Sequence, residues 1–152
     1  MLLLRFQLGE LRFALEARQI AEVIPLVALE PVPRSPRFVA GLVNYRAQLV
    51  PVIDLCELIQ QRPCTQTMTS RVLLVDYPLS EEKTRLLGLM AEQVTETFKC
   101  KPDALGPSGV RVPETPYLSR VLRDGTGVIH LVELEALLPD RVQQLLFHQD
   151  AA

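Results

Sequence analysis

The sequence predicts a mainly β protein with short helices, made of two pseudo-equivalent β subdomains sharing a core. Three observations carry this. Apolar residues alternate with polar ones over short stretches, the two-residue period of half-buried strands. Twelve prolines among 152 residues, spread from Pro25 to Pro139, exclude a bundle of long helices, since proline inside a helix removes a backbone bond and clashes with the preceding turn. The two halves of the chain also repeat one another.

Leu2 to Leu15 reads as a hairpin. Leu4, Phe6 and Leu8 alternate with Arg5 and Gln7, Gly9-Glu10 suits a two-residue II′ turn, and Leu11, Phe13 and Leu15 alternate again. Glu16 to Gln19 has room for one helical turn. Ile20 to Leu29 is strand-like, and Pro25 within it marks an edge strand or a bulge, because proline donates nothing to a ladder. Pro31 to Pro36 is an extended connector. Phe38-Val39 leads into two strands, Gly41 to Arg46 and Gln48 to Ile53. Asp54 is placed to cap a short helix over Leu55 to Gln60. Gln61 to Ser70 is polar, contains Pro63 and reads as an exposed loop.

In the second half, Arg71 to Tyr77 is a strand and Pro78 to Arg85 a charged loop. Leu86 to Met90 and Gln93 to Cys100 are further strands. Lys101 to Pro116 carries four prolines and two glycines and reads as a long loop. Tyr117 to Arg123 is a candidate short helix. Asp124-Gly125 turns into a strand, Gly127 to Val132, and Glu133 to Leu138 is another short helix. Pro139 to His148 reads as an amphipathic helix with Val142, Leu145 and Leu146 on one side.

The repeat has two blocks. Gln19-Ile20-Ala21-Glu22 matches Gln93-Val94-Thr95-Glu96, from 19 to 93, an offset of 74, and the same offset sets Leu15 on Leu89 and Ala17 on Ala91. Leu49 to Leu55 matches Val128 to Leu134 without gaps, from 54 to 133, an offset of 79, and Leu58-Ile59 falls on Leu137-Leu138. The expected organisation is one domain over 1–138, with an N-terminal hairpin (2–15), subdomains over about 15–70 and 71–138, and a tail over 139–152. Each half is too small for a comfortable core of its own, so the two should share buried surface.

Composition narrows the function. Apolar residues make up 48% and charged residues 22%, the balance of a folded globular chain. A net charge of −2 argues against nucleic-acid binding through bulk positive charge. No apolar run is long enough to span a membrane, and the Leu2–Leu4 run has no basic region before it, as a secretory signal would. Cys56, Cys64 and Cys100 lack the paired spacing of a zinc or redox motif and read as three free thiols in a reducing cytoplasm. There is no glycine-rich phosphate loop. His130 lies mid-strand with no nucleophile motif and reads as a core or edge histidine. Glu133 and Glu135 are two apart and share no helix face. No catalytic residue, metal or cofactor is expected.

The most specific stretch runs from Pro33 to Leu55. Within it stand Gly41-Leu42-Val43-Asn44-Tyr45-Arg46, then Pro51 and Asp54-Leu55. This resembles the signature of the CheW family of chemotaxis coupling proteins. Ile20 to Ile24 upstream, and Leu87 to Leu89 and Gly127 to Leu138 downstream, follow the same layout, so the resemblance covers about residues 2 to 138. It implies two SH3-like five-stranded β-barrels packed side by side and no catalytic activity. It implies an adaptor that bridges the regulatory domain of a chemotaxis-type histidine kinase to the cytoplasmic tip of chemoreceptors, at membrane-associated receptor arrays. Neither nucleic acid nor membrane insertion is implied, and self-association stays open. Ala47 departs from the family's glycine, and Ala91-Glu92 from its Val-Asp. The first departure keeps a second reading alive, a divergent competitor or structural array module binding only the kinase or only the receptor.

Partner-binding candidates are Ile20, Glu22, Val23, Ile24, Asn44 and Arg46. Arg46 offers a bidentate contact to a partner carboxylate, or an internal tie to Asp54 or Glu22. Ile20, Val23 and Ile24 line an apolar groove for a receptor helix pair or join the core, with Glu22 at the rim. Gly41, Pro51, Asp54 and Leu55 are read as structural: turn, strand edge, helix cap and first helical residue.

Overall fold

The computed structural model describes residues 1–148; the expected tail 139–152 therefore extends past the described residues. Eleven strands form two sheets. The first contains β3 (Ile20–Pro25), β4 (Val39–Tyr45), β5 (Gln48–Asp54), β6 (Arg71–Pro78) and β7 (Thr84–Ala91), in the order β3-β6-β7-β5-β4. The second contains β1 (Leu2–Leu8), β2 (Leu11–Glu16), β8 (Thr97–Lys99), β9 (Leu105–Pro107), β10 (Arg120–Asp124) and β11 (Gly127–Leu131), in the order β8-β1-β2-β11-β10-β9. Neighbours are antiparallel except for β5 with β7 and β2 with β11. The mainly β reading is correct, and the second sheet adds β9 to the expected five strands.

The two orders superpose strand for strand: β3 on β8, β6 on β1, β7 on β2, β5 on β11, β4 on β10. Three of these pairs, β7 with β2, β3 with β8 and β5 with β11, are the equivalences of the sequence repeat, but the sheets do not divide the chain at residue 70. Hairpin β1–β2 sits in the sheet built from residues 97–131, and hairpin β6–β7 in the sheet built from residues 20–54. Each repeat gives its hairpin to the other sheet.

The exchange has a physical basis in the hairpins. Val72, Leu73, Leu74 and Val75 are all fully buried. Leu73, Val75 and Tyr77 face a cluster shared with Leu4, Phe6, Leu8, Phe13 and Leu15 of the other sheet. Val72 and Leu74 face the interior of their own sheet with Val43, Val50, Val52 and Met90. Strands covered on both faces are apolar without alternation. The hairpins thus form the shared central layer.

The N-terminal turn is as expected: Leu8 pairs with Leu11, and of the two turn residues only Gly9 has positive φ. Asp54 caps α1 (Leu55–Gln60), accepting from the backbone N–H groups of Cys56 and Glu57. Several boundaries differ. Gln93 to Cys100 yields only β8, because Gln93 takes positive φ (40°) and Glu92 turns inward. The long loop from Lys101 contains a 3₁₀ turn and β9. Tyr117 to Arg123 is not helical: Arg120–Asp124 is held between β11 and β9. α2 (Asp140–Leu146) buries Val142 but exposes Leu145, since Phe147 just past the helix takes the place against Tyr77, ring centroids 6.1 Å apart.

One buried carboxylate ties the sheets together. Glu92 accepts from the Gly9 N–H of the β1–β2 turn at 2.8 Å, from both Arg62 Nη atoms at 3.0 Å, and from the Thr65 N–H. Arg62 above all, with those N–H groups, holds its pKa below the ordinary 4.5, at about 2. The folded value lies below the unfolded one, so this stabilisation is complete above pH 4.5 and disappears as pH falls toward 2. Glu92→Gln should cost about 2 kcal/mol at neutral pH and nothing at low pH. Asp124 is lowered as well, by Arg12, so the difference between wild type and Glu92→Gln in urea melts against pH isolates Glu92. A pH-independent difference would show that Glu92 acts by shape alone.

Candidate functional site

The first sheet closes on itself at one seam. After β3 the chain returns to β4, where Glu30 N donates to Leu42 O at 2.9 Å and Leu42 N to Glu30 O at 2.8 Å. Gly41 sits against this bridge with φ 145°, at a register shift between Val39 and Gly41 itself. Pro51 and Leu55 are buried. The four structural residues therefore serve seam, strand, cap and core.

The partner-binding candidates gather along the same seam. Ile20 packs against the shared core and Ile24 against the interior of the first sheet. Val23, 41% exposed, faces outward. The strand alternates, with Ile20, Glu22 and Ile24 half-buried and Ala21 and Val23 exposed, and its pairing with β6 shifts register between Ile20 and Glu22. The expected apolar groove is thus mainly the flanks of Ile20 and Ile24 beside an exposed Val23.

The β4–β5 tip supplies the charged part. Tyr45 pairs with Gln48, leaving Arg46-Ala47 as a two-residue turn with φ 50° and 65°. Both residues in the left-handed region make a turn of the I′ kind. Arg46, with its side chain 77% exposed, lies 3.8 Å from Glu22 Oε1 and stacks over the Tyr45 ring at 5.0 Å. The Glu22 carboxylate beside the Tyr45 hydroxyl raises the phenol's pKa. Of the two internal partners considered for Arg46, Glu22 is present; Asp54 is occupied by backbone N–H groups of Cys56, Glu57 and Cys64. Asn44 is exposed on the same strand.

Ala47 in the left-handed region carries a cost that glycine avoids. Ala47→Gly should raise the thermal midpoint by about 2 °C. A fall of several degrees in a calorimetric melt would contradict the turn geometry.

Sequence reasoning missed three features here. Tyr45 lies inside the quoted motif but carried no chemical signal until folding set it against Glu22. Leu49, 63% exposed, is an apolar residue beside the tip whose direction depended on register. Cys56 and Cys64, read as unrelated thiols, are brought together with Sγ atoms 2.7 Å apart. With Asp54 they are the described residues whose ligand atoms lie close enough to hold a metal ion. His130 lies tilted against Phe13 with ring centroids 5.5 Å apart, its buried Nδ1 has no hydrogen-bond partner among the described residues, and burial lowers its pKa. Among the described residues no helix is long and apolar enough to cross a membrane.

The family model of the CheW-like domain matches residues 2–142. The chain is 23% identical to the chemotaxis protein CheW of Treponema pallidum, over 95% of this chain and 85% of that protein. It is 23% identical to a probable chemotaxis protein CheW of Rhizobium etli, over 91% and 87%. A 56-residue stretch, 37% of this chain and 35% of the relative, is 32% identical to protein FrzA of Myxococcus xanthus. The crystal structure of the scaffolding protein TtCheW from Thermoanaerobacter tengcongensis superposes with a TM-score of 0.78 at 22% identity, covering 91% of this chain and 87% of that one.

Proposed function

The chain belongs to the CheW-like domain family, a family of chemotaxis scaffolds, and we propose that it is a non-enzymatic adaptor coupling chemoreceptors to a chemotaxis-type histidine kinase. The observation that carries this reading is the convergence of β3 with the β4–β5 tip. Two segments distant in sequence place Val23, Glu22, Tyr45, Arg46 and Asn44 along one seam. A helix pair from a receptor tip would lay its apolar stripe on Ile20, Val23 and Ile24. Arg46 and Asn44 would meet polar groups on its flank, with Glu22 setting orientation. The kinase regulatory domain, itself of barrel type in this reading, would engage another face. Coupling then means that receptor state changes kinase affinity, and kinase binding changes receptor affinity by the same factor. The protein would work in the cytoplasm, at membrane-associated arrays.

The test is reconstitution. The purified chain is combined with a receptor cytoplasmic fragment and the kinase regulatory domain from the same organism, and complexes are followed by sedimentation. A ternary complex that needs the chain supports coupling. Kinase binding without receptor binding assigns the chain to the competitor class. Binding to neither overturns the reading.

A further inference from the structure

We propose that Cys56 and Cys64 are a disulfide-forming pair, a modification site that joins the start of α1 to the loop behind it. One carboxylate fixes both backbones: Asp54 Oδ1 accepts from the Cys56 N–H at 2.9 Å, and Oδ2 from the Cys64 N–H at 3.0 Å. The Sγ atoms stand 2.7 Å apart. Non-bonded heavy atoms in contact sit roughly 3.5–4.0 Å apart, so the sulfurs are already inside that distance and about 0.7 Å from bonding length. Cys56 is fully buried and Cys64 partly exposed, which sets the order of events.

The oxidant is a low-molecular-weight disulfide. The Cys64 thiolate attacks one of its sulfurs, forming a mixed disulfide and expelling one thiolate. The Cys56 thiolate then attacks Cys64 Sγ, forming the internal bridge and expelling the second. The two cysteine protons end on the two released thiols, and the oxidant's S–S bond is replaced by the protein's.

A metal site fits this cluster less well. Tetrahedral zinc with Zn–S bonds of about 2.3 Å would hold two sulfurs roughly 3.7 Å apart, and the pair is displaced in the opposite direction. Asp54 is also engaged by three N–H groups. The bond to Cys56, then burial, then Asp54 push the Cys64 thiol's pKa far up.

The experiment treats the full chain with oxidised glutathione, quenches with acid, and maps the products by mass spectrometry. The expected product is a monomer lighter by two hydrogens, with Cys56 and Cys64 in one cross-linked peptide and Cys100 still open to alkylation after unfolding. Its thermal midpoint should lie about 5 °C above that of the reduced chain and return on reduction. Cys64→Ser should abolish the loss of two hydrogens. The proposal is overturned if wild type stops at a glutathione adduct on Cys64, if Cys64→Ser still loses two hydrogens, or if zinc binds the reduced chain and protects both thiols from alkylation.

Discussion

Gly41→Ala is expected to destabilise the protein by about 4 kcal/mol and to lower its thermal midpoint by about 10 °C. Two effects add at this position. The backbone takes φ 145°, a region open to glycine and strained for any residue with a Cβ. A Cβ built there would also lie 2.6 Å from the Glu30 carbonyl oxygen and 3.1 Å from Leu29 Cβ. The oxygen belongs to backbone, so no rotamer change relieves the contact. Relief requires moving Glu30 away, and Glu30 makes the paired bonds with Leu42 that close the first sheet. Amide exchange at Glu30 and Leu42 should therefore accelerate more than at β6. Gly106→Ala is the control, since a Cβ there meets nothing within 4 Å; it should change stability by less than about 0.5 kcal/mol. A similar small change for Gly41→Ala would mean that the seam is not closed as described.

Position 41 also illustrates what the sequence conveys. Its glycine was legible as structural through the motif, and Asp54 was legible as a cap from its place before an apolar helical run. These are local signals, because the residue and its task lie within a few positions of each other. The paired repeat was legible too, since the equivalences β3 with β8 and β5 with β11 survive in the apolar pattern and in a few identities beside the strands, Gln19 with Gln93, Glu22 with Glu96 and Leu55 with Leu134. The exchange of hairpins was not. A hairpin buried on both faces reads as apolar whichever sheet receives it, so nothing in β1–β2 or β6–β7 names the partner. Glu92 was invisible for a related reason. Its partners come from two segments far from it in sequence, Gly9 in the β1–β2 turn and Arg62 and Thr65 in the loop after α1, and only folding assembles them. The same holds for Cys56 and Cys64, whose spacing matches no motif yet whose backbones converge on Asp54. Asp124 and Arg12, paired at 2.6 Å between β10 and β2, repeat the lesson at the surface. The Tyr117–Arg123 error has a different cause: β10 is a strand because β9 and β11 flank it, and a five-residue strand carries too little periodicity to declare itself.

Arg46→Glu is expected to weaken binding to a receptor cytoplasmic fragment about 100-fold while leaving the fold intact. The fold should survive because Arg46 contributes little to it. Its side chain is mostly exposed, its pair with Glu22 is long at 3.8 Å, and such surface pairs contribute at most about 1 kcal/mol. Binding should suffer because the reversal places two carboxylates, Glu22 and the new one, where a partner carboxylate would have met a guanidinium. The kinase arm is the internal reference and should retain its affinity within about twofold, a margin of roughly 0.4 kcal/mol. A charge swap separates direct contact from positioning. If Arg46 acts only by holding Glu22 and the Tyr45 hydroxyl in place, the double variant Glu22→Arg with Arg46→Glu restores a local pair and recovers affinity. If Arg46 itself touches the receptor, the double variant binds no better than Arg46→Glu alone, because the cation then stands on β3 instead of the turn. We expect the second outcome. The turn holds residue 46 at positive φ and projects it beyond the sheet edge, whereas Glu22 is half-buried between its neighbours. Receptor affinity unchanged in Arg46→Glu, with the melt also unchanged, would remove the turn from the interface and leave the apolar flank of β3 as the remaining candidate surface.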